Sequence, residues 1–160
     1  QAERLGRESL AEIRRTVGLR APEGTGTAAP MPAATDIAQL VNEFEAAGLD
    51  VDFEMTGDPG ALPPATGLGL YRVAQESLSN VVRHAPGTHT TMSLRVGDEV
   101  VSMHVRNALA RTRPAPGTDG GLGVRGMRER VTLLGGELRA GPDGDAWSVD
   151  VELPCTVEPA

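Results

Sequence analysis

Tyr71-Arg72-Val73-Ala74-Gln75-Glu76-Ser77-Leu78-Ser79-Asn80-Val81-Val82-Arg83-His84-Ala85 is the stretch that carries most information about this chain. Wound as an α-helix at about 100° per residue, it sorts into two sides. Tyr71, Ala74, Leu78, Val81, Val82 and Ala85 fall on one; Glu76, Asn80 and Arg83 fall on the other, at spacings of four and three. The polar side therefore offers a carboxylate, a carboxamide and a guanidinium together. A carboxylate can take a proton as a general base, a carboxamide oxygen is a hard ligand suited to Mg²⁺, and a guanidinium neutralises phosphate charge. A solvated face on an amphipathic helix has the same spacing, so the pattern alone leaves both meanings open.

Pro63-Pro64 opens this helix and Pro86-Gly87 stops it. Upstream, residues 49–56 alternate Leu49, Val51, Phe53 and Met55 with Asp50, Asp52 and Glu54, which predicts a strand with one wet face. Before it, Ile37, Leu40, Val41 and Phe44 share one face of a helix over about 35–47, ended by Gly48. Residues 21–33 are rich in Ala, Pro, Gly and Thr and read as a linker. Residues 3–20 place Leu5, Leu10, Ile13 and Val17 at roughly helical spacing.

Downstream, Met92, Leu94 and Val96 mark one alternating strand and Val101, Met103 and Val105 a second, with Gly97-Asp98 as the hairpin turn. Residues 108–122 are loop-like. A helix over 124–134 carries Val124, Met127, Val131 and Leu134 on one face and is capped by Gly135-Gly136. A strand near 137–141, a turn at Gly141-Pro142-Asp143-Gly144, and a last strand with Trp147, Val149, Val151 and Leu153 complete the chain. Five half-buried strands and three helices predict a two-layer α/β sandwich, its mixed, mostly antiparallel sheet covered by helices on one face.

A second chemical feature is Gly120-Gly121-Leu122-Gly123-Val124-Arg125-Gly126-Met127, at the expected start of a helix. Glycines let backbone approach a ligand closely, and helix N-terminal N–H groups favour an anion. No Gly-Lys-Ser/Thr follows, so this is not a P-loop. Nor does a strand lead directly into it within a βαβ unit, as a dinucleotide fingerprint requires. A flexible surface loop has the same composition.

Over 160 residues the net charge is −7 with a pI near 4.9, which excludes the broad basic surface that duplex nucleic acid needs. All fifteen basic residues are Arg. With abundant Ala, Gly and Pro, that is the codon signature of a GC-rich genome, such as an actinobacterial one. One cysteine, Cys155, excludes an internal disulfide. No stretch approaches the length of a transmembrane helix. A chain that opens on Gln1 rather than Met reads as part of a longer protein.

Together the two features are more specific than either. Gln75 to Ala85 resembles the N box of histidine-kinase ATPase domains. Gly121-x-Gly123-Val124-x-Gly126-Met127-Arg128-Glu129-Arg130, followed by Leu133-Leu134-Gly135-Gly136, resembles the glycine box and following helix of the NarL/DesK-like two-component sensor kinases. Val149-x-Val151-x-Leu153-Pro154 is similar to that family's closing strand. The resemblance covers about 35–155.

It implies the Bergerat ATP-binding sandwich of the GHKL superfamily, with 34–155 as the catalytic domain, 1–20 as the end of a dimerisation and phosphoacceptor helix, 21–33 as linker and 156–160 as tail. It further implies ATP and Mg²⁺ as cofactors. Asn80 would bind the metal, Glu76 would assist proton removal at the attacking histidine, and Arg83 and His84 would lie near the phosphates. Gly121, Gly123, Val124 and Gly126 would shape the phosphate loop, with 108–122 as a mobile lid. The implied activity is transfer of the γ-phosphoryl group to a histidine outside this chain, for relay to a response regulator. Implied partners are the chain's own dimerisation domain and that regulator. The fragment is expected to be monomeric and the parent kinase homodimeric and cytoplasmic at this domain, with a membrane anchor elsewhere left open.

Asn107, Leu109 and Trp147 depart from the family pattern. Where the family has Asp-x-Gly after the third strand, with Asp accepting from the adenine amino group, this chain has Asn107-Ala108-Leu109. Asn107 keeps an acceptor oxygen without the charge, so its hydrogen bond should be weaker. Trp147 falls near a position that is often Thr. These departures keep open a nucleotide-binding module with little catalysis; a serine kinase of anti-sigma type shares the fold. His84, His89 and His104 lack the acceptor context of a His followed by Asp or Glu. His89 and His104 are expected on a sheet face or surface.

Overall fold

In the computed structural model, residues 29–109 and 120–156 are described. The expected helix 3–20, most of the linker, lid residues 110–119 and tail residues 157–160 lie outside them. A 3-10 turn, Ala34–Asp36, leads into helix α1 (Ile37–Ala46), and the Asp36 carboxylate accepts from the Ala33 N–H at 2.8 Å. Ile37, Leu40, Val41 and Phe44 are all buried, as their spacing requires. The helix ends in a Schellman motif: Gly48 takes φ 105°, Leu49 N–H reaches the Phe44 carbonyl at 3.0 Å and Gly48 N–H the Glu45 carbonyl at 3.0 Å.

Strand β1 (Val51–Thr56), helix α2 (Pro64–His84), the hairpin β2 (Thr90–Val96) and β3 (Val100–Ala108), helix α3 (Gly120–Leu133), and the hairpin β4 (Glu137–Asp143) and β5 (Ala146–Pro154) follow. The sheet order is β1-β2-β3-β5-β4. β1 and β2 are parallel, Val51 opposite Thr90, with α2 as the crossover; every other pairing is antiparallel. This is the mixed two-layer α/β sandwich expected.

Helix α3, strands β3 and β4 and the burial of Met55 differ from expectation. Helix α3 begins at Gly120 rather than 124 and ends at Leu133, so residues 120–122 are helix, and Ala108 is still strand. Glycine costs about 1 kcal/mol per helical position relative to alanine, and packing against α2 overrides that cost here. β4 runs to Asp143, with Pro142 opposite Trp147, so the turn is later than Gly141-Pro142-Asp143-Gly144. Proline is tolerated because β4 is an edge strand, where its missing N–H interrupts no ladder on the outer side. Met55, expected inside, is 38% exposed: on edge strand β1, only Val51 is fully buried.

The core lies between the sheet and the helices. Met92, Leu94, Met103, Val105, Val149 and Val151 meet Leu70, Val73, Leu78, Val81, Met127 and Val131. Phe44 is its one fully buried aromatic side chain. Gly135 (φ 81°) and Gly136 close α3, Gly136 N–H reaching the Val131 carbonyl at 3.0 Å. A Cβ on Gly136 would sit 2.2 Å from the Glu152 carbonyl oxygen, so this turn can lie against β5 only as glycine. Among the described residues no helix is long and apolar enough to cross a membrane.

The other sheet face is polar. An open groove of about 350 Å³ there is lined by Asp52, Glu54, Thr91, Ser93, Arg95 and His104. His104 pairs with Asp150, and His89 bridges Asp50 at 3.0 Å and Asp52 at 3.2 Å. The histidines expected on a sheet face or surface are therefore there. The Asp50 hydrogen bond chiefly, with both aspartate charges, raises the His89 pKa. A base whose folded pKa is raised stabilises the fold fully below its unfolded value and loses that contribution as pH rises through the folded value. His89→Asn should thus lower Tm more at about pH 5.5 than at about pH 8.5. An equal decrement at both pH values in thermal unfolding would show that the aspartate bridge plays no part.

Candidate functional site

Helix α2 positions the first group. Its buried face is Leu70, Val73, Ala74, Ser77, Leu78 and Val81; Val73 and Ser77 extend the expected face. Glu76, Asn80 and His84 are half-buried and Arg83 is exposed. Neither the Glu76 carboxylate nor the Asn80 carboxamide is held by a side-chain hydrogen bond among the described residues. Both are therefore available to a ligand.

Helix α3 packs along α2. Ser77 Oγ donates to Met127 Sδ at 3.8 Å, and the Glu76 carboxylate lies directly over Gly123. A Cβ at Gly123 would fall 2.3 Å from Glu76 Oε1. Gly121 and Gly126 have open space where a Cβ would project. The glycines expected to form a loop ahead of the helix are instead its first two turns. The anion-binding logic survives the change, because the first four N–H groups of a helix have no intrahelical acceptor. Here they include those of Gly120, Gly121 and Leu122. Val124 packs against the core, holding this turn down.

His84 has its Nε2 buried without a partner. Burial first, and the Arg83 charge second, lower its pKa, while the Glu76 carboxylate opposes them. The ring is therefore neutral at neutral pH, and Arg83 is the cation of this turn.

The second group sits at one end of the sheet. Asn107 is buried, opposite Thr90 of β2 and Trp147 of β5. Its Nδ2 donates to the Ala108 carbonyl at 2.9 Å. Thr90 is fully buried, and its Oγ1 has no hydrogen-bond partner. An unpaired buried hydroxyl costs about 1–3 kcal/mol, so its place in the core asks for an explanation. Thr90 was not singled out from sequence. The available signal was its parity: it occupies the inward slot of a strand whose next inward residues are Met92 and Leu94.

The structure thus brings Glu76 and Gly123 into contact and sets His84 within reach of the Glu76 and Arg83 charges. Asn107 stands apart from these, on the sheet. Among the described residues no cluster of three or more His, Cys, Asp or Glu could hold a metal ion.

The chain is similar in sequence and in fold to histidine kinases. The chain is 26% identical over 155 residues to the signal transduction histidine-protein kinase/phosphatase DegS of Brevibacillus brevis, covering 95% of this chain and 39% of that protein. It is 33% identical over 96 residues to the histidine-protein kinase/phosphatase UhpB of Salmonella typhimurium, covering 60% of this chain and 19% of that protein. The chain is a relative of the sensor histidine kinases. Among solved structures, the histidine kinase domain of the Erythrobacter litoralis EL346 blue-light activated kinase matches with a TM-score of 0.58 at 18% identity, over 97% of this chain and 75% of that one. The catalytic domain of histidine kinase ThkA matches with a TM-score of 0.55 at 15% identity, over 78% of this chain and 92% of that one. The fold is therefore that of a histidine-kinase catalytic domain. No protein-family model matches the chain. It spans about two-fifths or less of the length of these two kinase relatives.

Proposed function

We propose that this chain is the ATP-binding catalytic domain of a NarL/DesK-like sensor histidine kinase, transferring the γ-phosphoryl group of Mg·ATP to a histidine outside it. The observation that carries this reading is the uncommitted pair Glu76 and Asn80 on α2, beside a helix N-terminus built from glycine. The free N–H groups of Gly120 to Leu122 and the Arg83 guanidinium would neutralise phosphate charge, and Glu76 would take the proton of the attacking imidazole. Catalysis of this kind is mostly positioning and electrostatics.

Mg²⁺ fits the residues present. Asn80 offers one hard, unengaged oxygen, and an ion held by one protein ligand, phosphate oxygens and water needs no carboxylate cluster. When bound, the ion supplies further neutralisation of phosphate charge. The partners proposed are the upstream phosphoacceptor and dimerisation segment and a response regulator. The parent is proposed as a homodimer, with this domain monomeric alone and on the cytoplasmic side.

Titration calorimetry with ATP, with and without Mg²⁺, tests the reading. Wild-type chain is expected to bind saturably and to need Mg²⁺. Asn80→Ala should weaken binding about tenfold or more in Mg²⁺ and change little without it, since one ion contact of roughly 1.4 kcal/mol corresponds to tenfold. No binding by the wild type at millimolar ATP would sink the reading.

A further inference from the structure

Resting on the ATP reading, the geometry points to Thr90 as a base-recognition residue acting together with Asn107. Three adjacent strands place a hydroxyl, a carboxamide and an indole side by side: Thr90 and Trp147 are the direct cross-strand neighbours of Asn107. Directly opposed residues on one sheet face hold their Cβ atoms about 4.5–5.5 Å apart, close enough for both polar groups to meet one small ring. All three project from the helix-covered side of the sheet, where Met92, Val105 and Val149 continue the same rows into the core.

Thr90 has spent its main-chain donor. Its N–H bonds the Asp50 carbonyl at 2.8 Å, while its Oγ1 is buried with no partner at all. Ordinary strand formation does not need that hydroxyl, and valine would fill the same slot without an unpaired polar atom. A hydroxyl kept there is accounted for if a ligand supplies the partner.

Asn107 is polarised in a definite sense. Its Nδ2 gives one hydrogen to the Ala108 carbonyl at 2.9 Å, which sets the amide's orientation and leaves Oδ1 as an acceptor open to a ligand. The complementary base edge is an exocyclic amine beside an unprotonated ring nitrogen, which is the edge of a 6-aminopurine. Asn107 Oδ1 accepts from the amine, and the Thr90 hydroxyl donates to the neighbouring ring nitrogen. A 6-oxopurine presents an oxygen to Asn107 Oδ1, and two acceptors facing each other repel. The pair therefore selects adenine, and Thr90 supplies a contact that compensates for the uncharged Asn107.

The test is ATP, GTP and tripolyphosphate titration of the whole chain as wild type, Thr90→Val and Thr90→Ser, with thermal unfolding of each. Thr90→Val is expected to melt at or above the wild-type temperature, because it removes an unpaired buried hydroxyl. It should bind ATP about tenfold more weakly, leave tripolyphosphate binding unchanged and narrow the preference for ATP over GTP. Thr90→Ser, which keeps the hydroxyl, should retain most of the ATP affinity. Should valine pack badly and lower Tm, Thr90→Ala is titrated in its place with the same expectation for affinity. Unchanged ATP affinity in the valine or alanine variant, or equal weakening of ATP and tripolyphosphate, overturns the inference while leaving the ATP reading intact. Failure of the wild type to bind ATP overturns both.

Discussion

With the upstream phosphoacceptor segment restored, Glu76→Gln should transfer phosphoryl to histidine roughly 10²–10⁴-fold more slowly than wild type, the range for loss of a positioned general base. Glu76 is the only acidic residue of α2, so no neighbour on that helix can replace it. Glutamine keeps the length, planarity and hydrogen-bonding reach of the side chain and removes only its basicity. Glu76 is half-buried and takes part in no ion pair among the described residues, so the change should leave the fold intact. Mg·ATP affinity should stay within about threefold, because each 1.4 kcal/mol of lost contact is tenfold and no phosphate contact is assigned to Glu76. Labelled phosphoryl transfer at saturating ATP, alongside calorimetric binding, separates the two quantities. Transfer within about threefold of wild type would remove Glu76 from the chemistry.

Periodicity and local punctuation made most of the architecture legible. α1 could be read because Ile37, Leu40, Val41 and Phe44 form one stripe and Gly48 can adopt φ 105° to end it. The β2–β3 hairpin could be read because apolar residues alternate on either side of Gly97-Asp98. What escaped depends on partners distant in sequence. The first turns of α3 carry the composition of a loop, and only packing on α2, through Ser77 with Met127 and Glu76 with Gly123, holds them helical. Pro142 looks like a turn residue until it is known to lie on the sheet edge.

The site divides in the same way. Glu76 and Asn80 were evident because one helix face carries them both. Thr90 was not, because its interest comes from cross-strand register with Asn107 and from a hydrogen bond that is missing, neither of which a sequence displays. Gly123 was evident as a glycine, but its neighbour was not.

That neighbour makes Gly123→Ala the second substitution with a large expected effect, and its signs are opposed. In a helix interior alanine is favoured over glycine by about 1 kcal/mol. Against this, the new Cβ would lie 2.3 Å from Glu76 Oε1, the far end of a flexible and half-exposed side chain that can swing aside. Thermal unfolding should therefore show Tm unchanged or slightly raised. The displaced carboxylate is another matter, since a misplacement of about 1 Å at a reacting group can cost about 10²-fold in rate. Phosphoryl transfer should fall by about that factor in a chain that is at least as stable as wild type. The contact is isolated by repeating the substitution in the Glu76→Gln background. If Gly123 serves to seat the Glu76 carboxylate, the double variant should be hardly slower than Glu76→Gln alone, because residues that act as a unit are not additive. If the two losses multiply instead, Gly123 acts on its own account, through the backbone N–H groups of the α3 N-terminus, and the Glu76 contact is incidental to catalysis.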